Sequence, residues 1–455
     1  MRHLLGLVVL SASASACSVS AGEPGTPDAG DSSDVAVIRV VDDGLAVDGA
    51  RVVFHDASGA VAGVVRADVV GVAKFPIEPG GLVTVAFPND IVLTTSRIQL
   101  LTFTDVDPGD DVTVEIPSFG AVPPTPYPSD VAGSLRLELP PLENAGSYVV
   151  DLGCENVTTD QLVTIVDVPK RCLGSDDTVD ITVNAYTPPD LPSHLGTTYA
   201  NRIPVSADAI GDVALPDWVT PHPTIDVAFT DQPEGATNVF AVATMLADGE
   251  AFDPIMADTA ALAGEPVTLS PGFIADFAEQ IDLEVRVHAG VANMTTLFLL
   301  SAPVEVASSV TGDALLPTVR DVEVDASGGA IAWTNTGDVA AAGADATFLH
   351  LRSERREGVV TRHRRWTITT APDTASPFVL PELPPELDDY RPRPGDDYFD
   401  PGIVTFDADW IAGYDAFVSD HGTRFLDDAC VPAYSTARLT RTGVFYGPTL
   451  TTSAY

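Results

Sequence analysis

Short runs of β-branched and aliphatic residues recur along this chain, and most of them alternate apolar with polar positions. The run 281–287, which reads IDLEVRV, places every second side chain on one face, as a half-buried strand requires. Segments rich in Gly, Pro, Asp and Asn separate the runs, and short strands at this spacing are typical of β-sandwiches. We therefore predict an all-β protein built of tandem sandwich modules. The predicted strands include 35–41, 50–54, 134–139, 148–152, 162–166, 179–185, 224–229, 238–244, 281–287, 296–300, 322–325, 330–334, 346–352 and 359–368.

Pro-rich segments divide the predicted strands into four modules. Residues 118–130 (SFGAVPPTPYPSD) read as a linker, and Pro221-His222-Pro223 marks a further boundary. The predicted sandwich modules are 35–117, 131–219, 220–316 and 317–455. Two segments carry helix signals, 253–263, where Asp253-Pro254 could cap the first turn, and 270–280. We predict a short helix in each.

The opening residues have the layout of an export signal. Arg2 precedes the apolar run Leu4–Leu10, and small residues then lead to Cys17. This apolar run is far shorter than the roughly 20 residues that cross a bilayer. We therefore predict that residues 1–17 are a cleaved signal peptide and that the mature protein lies outside the cytoplasm.

The segment Ala14-Ser15-Ala16-Cys17 resembles the bacterial lipobox, with Ala14 where most lipoboxes have Leu. The resemblance implies that Cys17 is the lipidation site and that acyl chains anchor the protein in a membrane. Residues 18–34 hold almost no large apolar side chain and would form a disordered tether. By the sorting rule of enterobacterial lipoproteins, Ser18 implies the outer membrane. Alternatively, ordinary signal peptidase cleaves after Ala16 and releases a soluble protein.

The composition narrows the set of partners. The 455 residues carry a formal net charge of -42, and Lys74 and Lys170 are the only lysines. So acidic a surface repels phosphate backbones, which argues against nucleic acid as a partner. It also repels anionic lipid headgroups, so membrane association would come from the lipid anchor.

The cysteines predict one disulfide. Cys154 and Cys172 flank the predicted strand 162–166, and the exported compartment permits oxidation. A zinc site is the alternative, but it lacks the close Cys-x-x-Cys or His spacing. Cys430 is then left over, as a half-buried thiol or as a partner for Cys17 where Cys17 carries no lipid.

The first module resembles the carboxypeptidase regulatory-like domain. The resemblance lies in the stretches 44–52 (GLAVDGARV), 56–59 (DASG), 67–75 (ADVVGVAKF) and 107–116 (DPGDDVTVEI). Ala46 and Ala67 stand where the family usually has Pro and Thr. The resemblance implies a transthyretin-like β-sandwich that serves as a spacer or binding module and has no catalytic residues. In the last module, a strand that ends in Trp333 after a Gly-Gly turn resembles fibronectin type III and immunoglobulin-like sandwiches.

A pair of strands near the start of the last module concentrates basic residues. Six arginines lie between residues 352 and 365, and two histidines, His350 and His363, belong to the same cluster. Arginines at this density could bind an acidic polysaccharide or lipid phosphate through bidentate contacts. The alternative is intramolecular, because the acidic pairs 388–389 and 396–397 follow closely and could cover them. The candidate anion-binding residues are Arg352, Arg355, Arg356, Arg362, Arg364 and Arg365.

Other candidate chemistry is sparse. The acidic stretch 105–111 has carboxylates at alternate positions, as a calcium loop does, but it lacks the Gly position and distal Glu of an EF-hand. The same residues suit an ordinary hairpin turn. The eight histidines are scattered, without a zinc-protease, nucleophile-elbow or phosphate-loop motif. We therefore expect no enzyme activity, no cofactor and no metal.

These patterns predict a non-enzymatic, envelope-anchored lipoprotein whose sandwiches act as spacers and binding surfaces for an unknown protein or polysaccharide. A second hypothesis is a carbohydrate-binding or adhesive surface protein with an exposed aromatic row. Its candidate residues are Trp366, Tyr390, Tyr398 and Trp410. A third is an enzyme whose site is assembled by folding in the C-terminal half.

Overall fold

The structure, a computed structural model, describes most of the chain between residues 34 and 442. The described residues exclude 43–44, 93–94, 116–130, 175, 189–192, 220–223, 231, 233–234, 248–249, 253–257, 290–293, 304–314, 326–328, 392, 394, 397 and 422–435. The predicted signal peptide with Cys17, nearly all of the tether, the linker 118–130 and Cys430 lie outside them.

The fold is all-β, as the alternating pattern predicts. The longest helical segment in the described residues is the six-residue 3-10 turn Pro385–Tyr390. Shorter turns occupy Lys170–Cys172, Tyr414–Ala416 and Phe417–His421. Within the described part of the chain, no helix is both long and apolar enough to span a membrane.

Fifteen strands lie in the N-terminal half. They are β1 (Val35–Asp42), β2 (Leu45–Ala46), β3 (Arg51–His55), β4 (Val61–Arg66), β5 (Val72–Pro76), β6 (Gly81–Val92), β7 (Thr95–Val106), β8 (Asp111–Glu115), β9 (Val131–Glu138), β10 (Ser147–Asp151), β11 (Asn156–Thr159), β12 (Val163–Pro169), β13 (Thr178–Tyr186), β14 (His194–Pro204) and β15 (Ile210–Ala214). Six of them, β1, β3, β9, β10, β12 and β13, lie within a few residues of a predicted strand.

Fourteen further strands lie in the rest of the described residues. They are β16 (Val227–Phe229), β17 (Ala236–Ala247), β18 (Glu250–Phe252), β19 (Asp258–Ala261), β20 (Val267–Leu269), β21 (Gln280–Ala289), β22 (Met294–Pro303), β23 (Val319–Val324), β24 (Ala330–Asn335), β25 (Ala346–Glu357), β26 (Val360–Thr370), β27 (Phe378–Val379), β28 (Tyr398–Ala408) and β29 (Thr436–Thr442).

Residues 131–214 form a sandwich with its own core. One sheet has the order β11-β10-β13-β14 and the other β12-β9-β15. Leu135, Val150, Val166 and Ile181 are buried between them. The predicted disulfide joins Cys154 to Cys172, whose Cα atoms lie 5.2 Å apart.

One large sheet joins strands from three of the predicted modules. Thirteen strands belong to it, along the path β18-β17-β21-β22-β29-β28-β25-β26-β7-β6-β3-β4, with β19 beside β17. Strands β25, β26, β28 and β29 from the last module lie between β22 of the third and β7 of the first. The junction with the first module is the parallel pair β26–β7, in which Trp366 is the partner of Leu100. Because pairing is continuous, the modules 35–117, 220–316 and 317–455 share a sheet.

The two faces of this sheet carry different cores, set by the alternation of side chains along each strand. On one face, Phe103 and Phe348 pack with Ile38 of the sheet β2-β1-β5, which also holds β8; we call this the N-terminal core. On the other face, Leu349 and Trp366 pack beneath the small sheet β23-β24-β27; we call this the Trp366 core. Its members include Trp333, at which a strand is predicted to end, together with Val319, Ile331, Leu380 and Leu387.

Both helix predictions are wrong. Part of 253–263 lies outside the described residues, and Asp258–Ala261 is a strand paired with residues 238–241 of β17. In 270–280 only one turn forms, with the N–H groups of Phe277 and Ala278 bonded to the carbonyl of Ile274. The chain then enters β21 at Gln280, because pairing with β17 satisfies more backbone groups than a second turn would.

Candidate anion-binding hairpin

The six predicted arginines lie on one antiparallel hairpin, β25–β26, and alternation divides them between its two faces. Arg352 is the Cα partner of Arg365, and Arg355 is the partner of Arg362, without a register shift. Arg355, Arg362 and Arg364 therefore share the side of Trp366, which we call the Arg364 face. Arg352, Arg356 and Arg365 share the side of His350 and His363, which we call the Arg365 face.

The Arg364 face is built into the Trp366 core. Arg364 is fully buried, and its Nε donates to the backbone carbonyl of Asp389 at 2.6 Å. Arg355 contacts the Asp396 carboxylate through Nε at 2.7 Å and through a terminal guanidinium nitrogen at 2.6 Å. The Asp396 side chain is 1% exposed. For these two arginines the structure gives the intramolecular contacts of the alternative interpretation.

The pKa of Asp396 reflects this setting. Burial alone would raise the pKa of this carboxyl, but hydrogen bonds, among them those from the Arg393 backbone N–H and from Arg355, outweigh it and lower the pKa. The carboxylate is therefore held ionised beside the guanidinium.

The described residues of the segment 384–396 cover the Arg364 face. Leu387 is buried in the Trp366 core, and the guanidinium of Arg391 lies 5.6 Å from the centre of the Trp366 ring. A cation over the face of a tryptophan ring is attracted by the ring quadrupole. Burial raises the pKa of Tyr390, while the charges of Arg51 and Arg362 lower it, which places this phenol near the arginines. The segment is a lid held on by aromatic, charged and backbone contacts.

The Arg365 face is open to solvent at its polar end. Arg352 contacts Glu354 at 3.1 Å, and His363 Nδ1 lies 3.0 Å from the same carboxylate oxygen. The side chains of Arg352 and His363 are 27% and 34% exposed, and Arg356 is exposed. Arg352 and Arg365 face each other directly across the strands, and like charges so placed repel.

Toward the N-terminal core the same face becomes less exposed. His350 is half-buried, and its Nδ1 is 3.1 Å from the Thr367 hydroxyl. Burial, with a smaller contribution from the charge of Arg365, lowers the pKa of His350 to about 3. The ring is therefore neutral at physiological pH and marks the inner limit of the charged surface.

A buried chain of hydrogen-bonded polar side chains, not predicted from the sequence, crosses four strands. His55 Nε2 lies 3.0 Å from Thr84 Oγ1, which lies 2.8 Å from Thr102 Oγ1. The indole N–H of Trp366 donates to Thr102 Oγ1 at 2.8 Å. Burial lowers the pKa of His55 to about 4. The available signal is a polar residue at an apolar position of the alternating pattern, such as Thr84 in the run GLVTVAF.

The carboxylate of Asp345, which is also not predicted from the sequence, orders the turn that follows β28. Its oxygens accept the N–H groups of Ala408 at 2.8 Å and Gly413 at 3.1 Å. Burial raises the pKa of Asp345 to about 6 in spite of these bonds. Nearby, Arg438 Nε donates to Asp407 at 2.7 Å. These contacts stabilise the turn after β28 and the pairing of β28 with β29.

The acidic stretch 105–111 serves turn geometry. Asp107 accepts the N–H of Gly80 at 2.8 Å, Asp110 accepts the N–H of Asp107 at 2.8 Å, and Asp111 pairs with Arg39 at 2.7 Å. Among the described residues, no group of three or more His, Cys, Asp or Glu side chains is arranged to hold a metal ion.

The aromatic candidates do not form one row where the structure describes them. Trp366 is fully buried, whereas Tyr390 packs at the margin of the Trp366 core and Trp410 at that of the N-terminal core. The side chain of Tyr398 is outside the described set. A glycan could therefore not stack on Trp366.

Comparison with protein-family models gives no match, and no curated protein matches. Among solved structures, the Bacillus anthracis TIE protein matches with 10% sequence identity and a TM-score of 0.15. The match covers 61% of this chain and 49% of that chain, so it spans about half the length of the matched protein.

Proposed function

We propose that this protein is a non-enzymatic, exported and lipid-anchored structural or binding protein. In this proposal Cys17 carries the anchor, residues 18–34 hold the sandwiches away from the membrane, and the linked sandwiches present binding surfaces. The proposed location is the cell envelope, at the outer membrane.

The observation that supports export best is the disulfide between Cys154 and Cys172. Structural disulfides persist in oxidising compartments and are rare in the cytosol. Cys172 is buried in the core of its sandwich, so the bond is part of the packed structure. This agrees with the export layout of residues 1–17.

The continuity of the large sheet supports a scaffold role. Within the thirteen-stranded sheet, β3, β6, β7, β25 and β28 have a packed core on each face and resist local opening, because opening would expose apolar surface on both sides. Such a body suits a protein that holds a surface in place outside the cell.

The anchor is tested by replacing Cys17 with Ala and fractionating cells into membrane and soluble parts. We expect Cys17→Ala to shift the protein from the membrane to the soluble fraction, because two or three acyl chains are needed for a durable hold. Cys430→Ala is the matched control and stays with the membrane. An unchanged distribution of Cys17→Ala contradicts the anchor.

Export is tested separately by alkylating thiols in Cys430→Ala protein that is denatured without reductant. If Cys17 is lipidated and Cys154 is bonded to Cys172, no thiol reacts. Reaction of Cys154 and Cys172 would contradict residence in an oxidising compartment, and reaction of Cys17 as well would mean that Cys17 carries no lipid.

A further inference from the structure

The Arg365 face of the β25–β26 hairpin, unlike the covered Arg364 face, is open to solvent at its polar end and can be described by the residues that pair across adjacent strands. One row across the sheet contains Gln99, Arg365, Arg352 and Asp400, in that order. The next row contains Arg97, His363, Glu354 and Tyr398. Arg356 lies one further row toward the hairpin turn, beside Thr361.

The formal charges of these positions set the face apart from the rest of the molecule. Among the residues of this face whose side chains the structure describes, the three arginines Arg352, Arg356 and Arg365 stand against one carboxylic acid, Glu354, which gives a formal net charge of +2 with histidine neutral. The whole chain has a formal net charge of -42. A local positive field in so acidic a protein selects anions that can approach this face closely, because charges more than about 10 Å away are screened in salt.

The spacing along the strands favours a ligand with several acidic groups. The directly opposed pair Arg352 and Arg365 can direct two guanidinium forks at one group, and an anion between them relieves their repulsion. Arg356 follows four residues along the same face, about 13 Å away at the rise of a strand. Two points of positive charge so separated suit an extended polymer better than a single small anion.

We propose that the Arg365 face, through Arg352, Arg356 and Arg365, binds an acidic polysaccharide that lies along the hairpin. Arg355, Arg362 and Arg364 hold the lid and do not contact the ligand. Glu354, which contacts both Arg352 and His363, competes with the ligand for the guanidinium of Arg352. This inference goes beyond the proposed function, because neither the anchor nor export is needed for it.

The test measures retention of the purified mature chain on immobilised heparin, as a sulfated probe, and polygalacturonate, as a carboxylated one. The variant Arg352→Gln/Arg356→Gln/Arg365→Gln is compared with Arg39→Gln/Arg136→Gln/Arg202→Gln. The control removes the same charge from exposed, ion-paired arginines on other strands. We expect the first variant to lose at least about tenfold in affinity, which corresponds to about 1.4 kcal/mol, and the control to match wild type.

Two single changes keep the test decisive if the triple variant unfolds. Arg356→Glu alters one exposed side chain and weakens retention, whereas Glu354→Gln removes the competing carboxylate and strengthens it. Equal retention of the two triple variants, or no retention of wild type on either polysaccharide at low salt, overturns the proposal. Binding to phosphatidylglycerol vesicles without binding to polysaccharide also overturns it, since the ligand would then be a lipid surface.

Discussion

At the scale of single residues, hydrogen bonds between neighbouring strands connect a set of polar side chains inside the Trp366 core. Thr84 and Thr102 are buried on the side of the Trp366 core, where apolar side chains surround them. Their hydroxyls connect His55 to the indole N–H of Trp366. The chain of bonds crosses from β3 to β26 and so fixes the register between the first and last modules.

Replacing Thr84 with Val should break this connection. Valine has nearly the same shape but leaves His55 Nε2 and the Thr102 hydroxyl short of one partner, which costs about 1 to 3 kcal/mol. Thr182→Val is the matched control, because the buried Thr182 hydroxyl makes no hydrogen bond to the described residues. Urea unfolding should show a lower free energy for Thr84→Val and little change, or a gain, for Thr182→Val. Equal effects would contradict the role of the polar chain.

Two histidines with lowered pKa values predict that acid destabilises the fold. His55 and His350 have folded-state pKa values of about 4 and about 3, below the ordinary 6.5. Below pH 6.5 the unfolded chain therefore binds protons that the folded chain excludes. Stability is full above pH 6.5 and falls as the pH drops toward 4, by up to about 1.4 kcal/mol per pH unit for each histidine.

Asp345 acts in the opposite direction over part of this range. Its pKa of about 6 exceeds the ordinary 3.8, so the folded state binds the extra proton and gains stability as the pH falls from 6 to 4. Two histidines outweigh one carboxyl, and the net slope stays unfavourable. Urea unfolding between pH 7.5 and pH 4.5 measures the slope, which should be shallower in His55→Gln. An identical slope in that variant would contradict the assignment.

The candidate site could be predicted in part at this scale. The sequence predicts a basic hairpin and acidic residues after it that could cover the arginines. The structure contains the hairpin, and Asp396 contacts Arg355. The sequence does not show which arginines are covered, because this depends on whether β25 begins with Ala346 facing one core or the other. The burial of Arg364 beside Trp366 follows from that register. The register cannot be predicted from the amino-acid composition.

At the scale of elements, the lid, which is the segment 384–396, depends on the buried ion pair between Arg355 and Asp396. Removing the charge of Asp396 leaves Arg355 with an uncompensated guanidinium in a mostly enclosed site, at a cost of about 3 kcal/mol. Asp396→Asn should therefore lower the melting temperature and loosen the lid. Asp388→Asn is a suitable control, because the Asp388–Arg393 pair is exposed. Hydrogen exchange of the Leu387 amide reports the lid directly, and equal exchange in both variants would contradict its dependence on Asp396.

The disulfide should act on its own sandwich. Cys154→Ser/Cys172→Ser removes the cross-link from a loop of 18 residues and should cost about 3 kcal/mol. Trp218 reports this module, since its ring stacks on Tyr148 and its indole N–H donates to the carbonyl of Pro140. Its fluorescence in a chain with the other three tryptophans replaced by Phe should show an earlier transition, and Cys430→Ser should not. Coincident transitions would contradict a local role.

The elements themselves were predictable where alternation is strong. Strands β9, β10, β13 and β21 lie within a few residues of their predicted positions. The helix prediction for 270–280 is wrong although Phe273, Ile274, Phe277 and Ala278 have the spacing of one helix face. One turn already brings all four side chains into the core that holds Phe252, so the pattern is met without a helix.

At the scale of the whole molecule, the last 139 residues of the sequence complete structures that begin elsewhere. Phe348, Phe406 and Phe417 fill the N-terminal core alongside Ile38 and Phe103. The pair β26–β7 joins residues about 270 positions apart. No periodicity in the sequence encodes such a pairing, which is why the first and last modules look separate when the chain is read in order.

This arrangement predicts that the modules differ in their ability to fold alone. A fragment of residues 131–219 retains both of its sheets, its core and its disulfide, so it should give a β-type far-UV spectrum and one cooperative melting transition. A fragment of residues 34–117 loses the aromatic side chains of the last module and exposes the edge of β7, which is normally paired with β26. It should bind ANS and aggregate, and adding residues 317–455 in trans should reduce both. Cooperative melting of the isolated 34–117 fragment would instead mean that its sandwich is complete without the last module, and that the continuous sheet is a contact between finished domains.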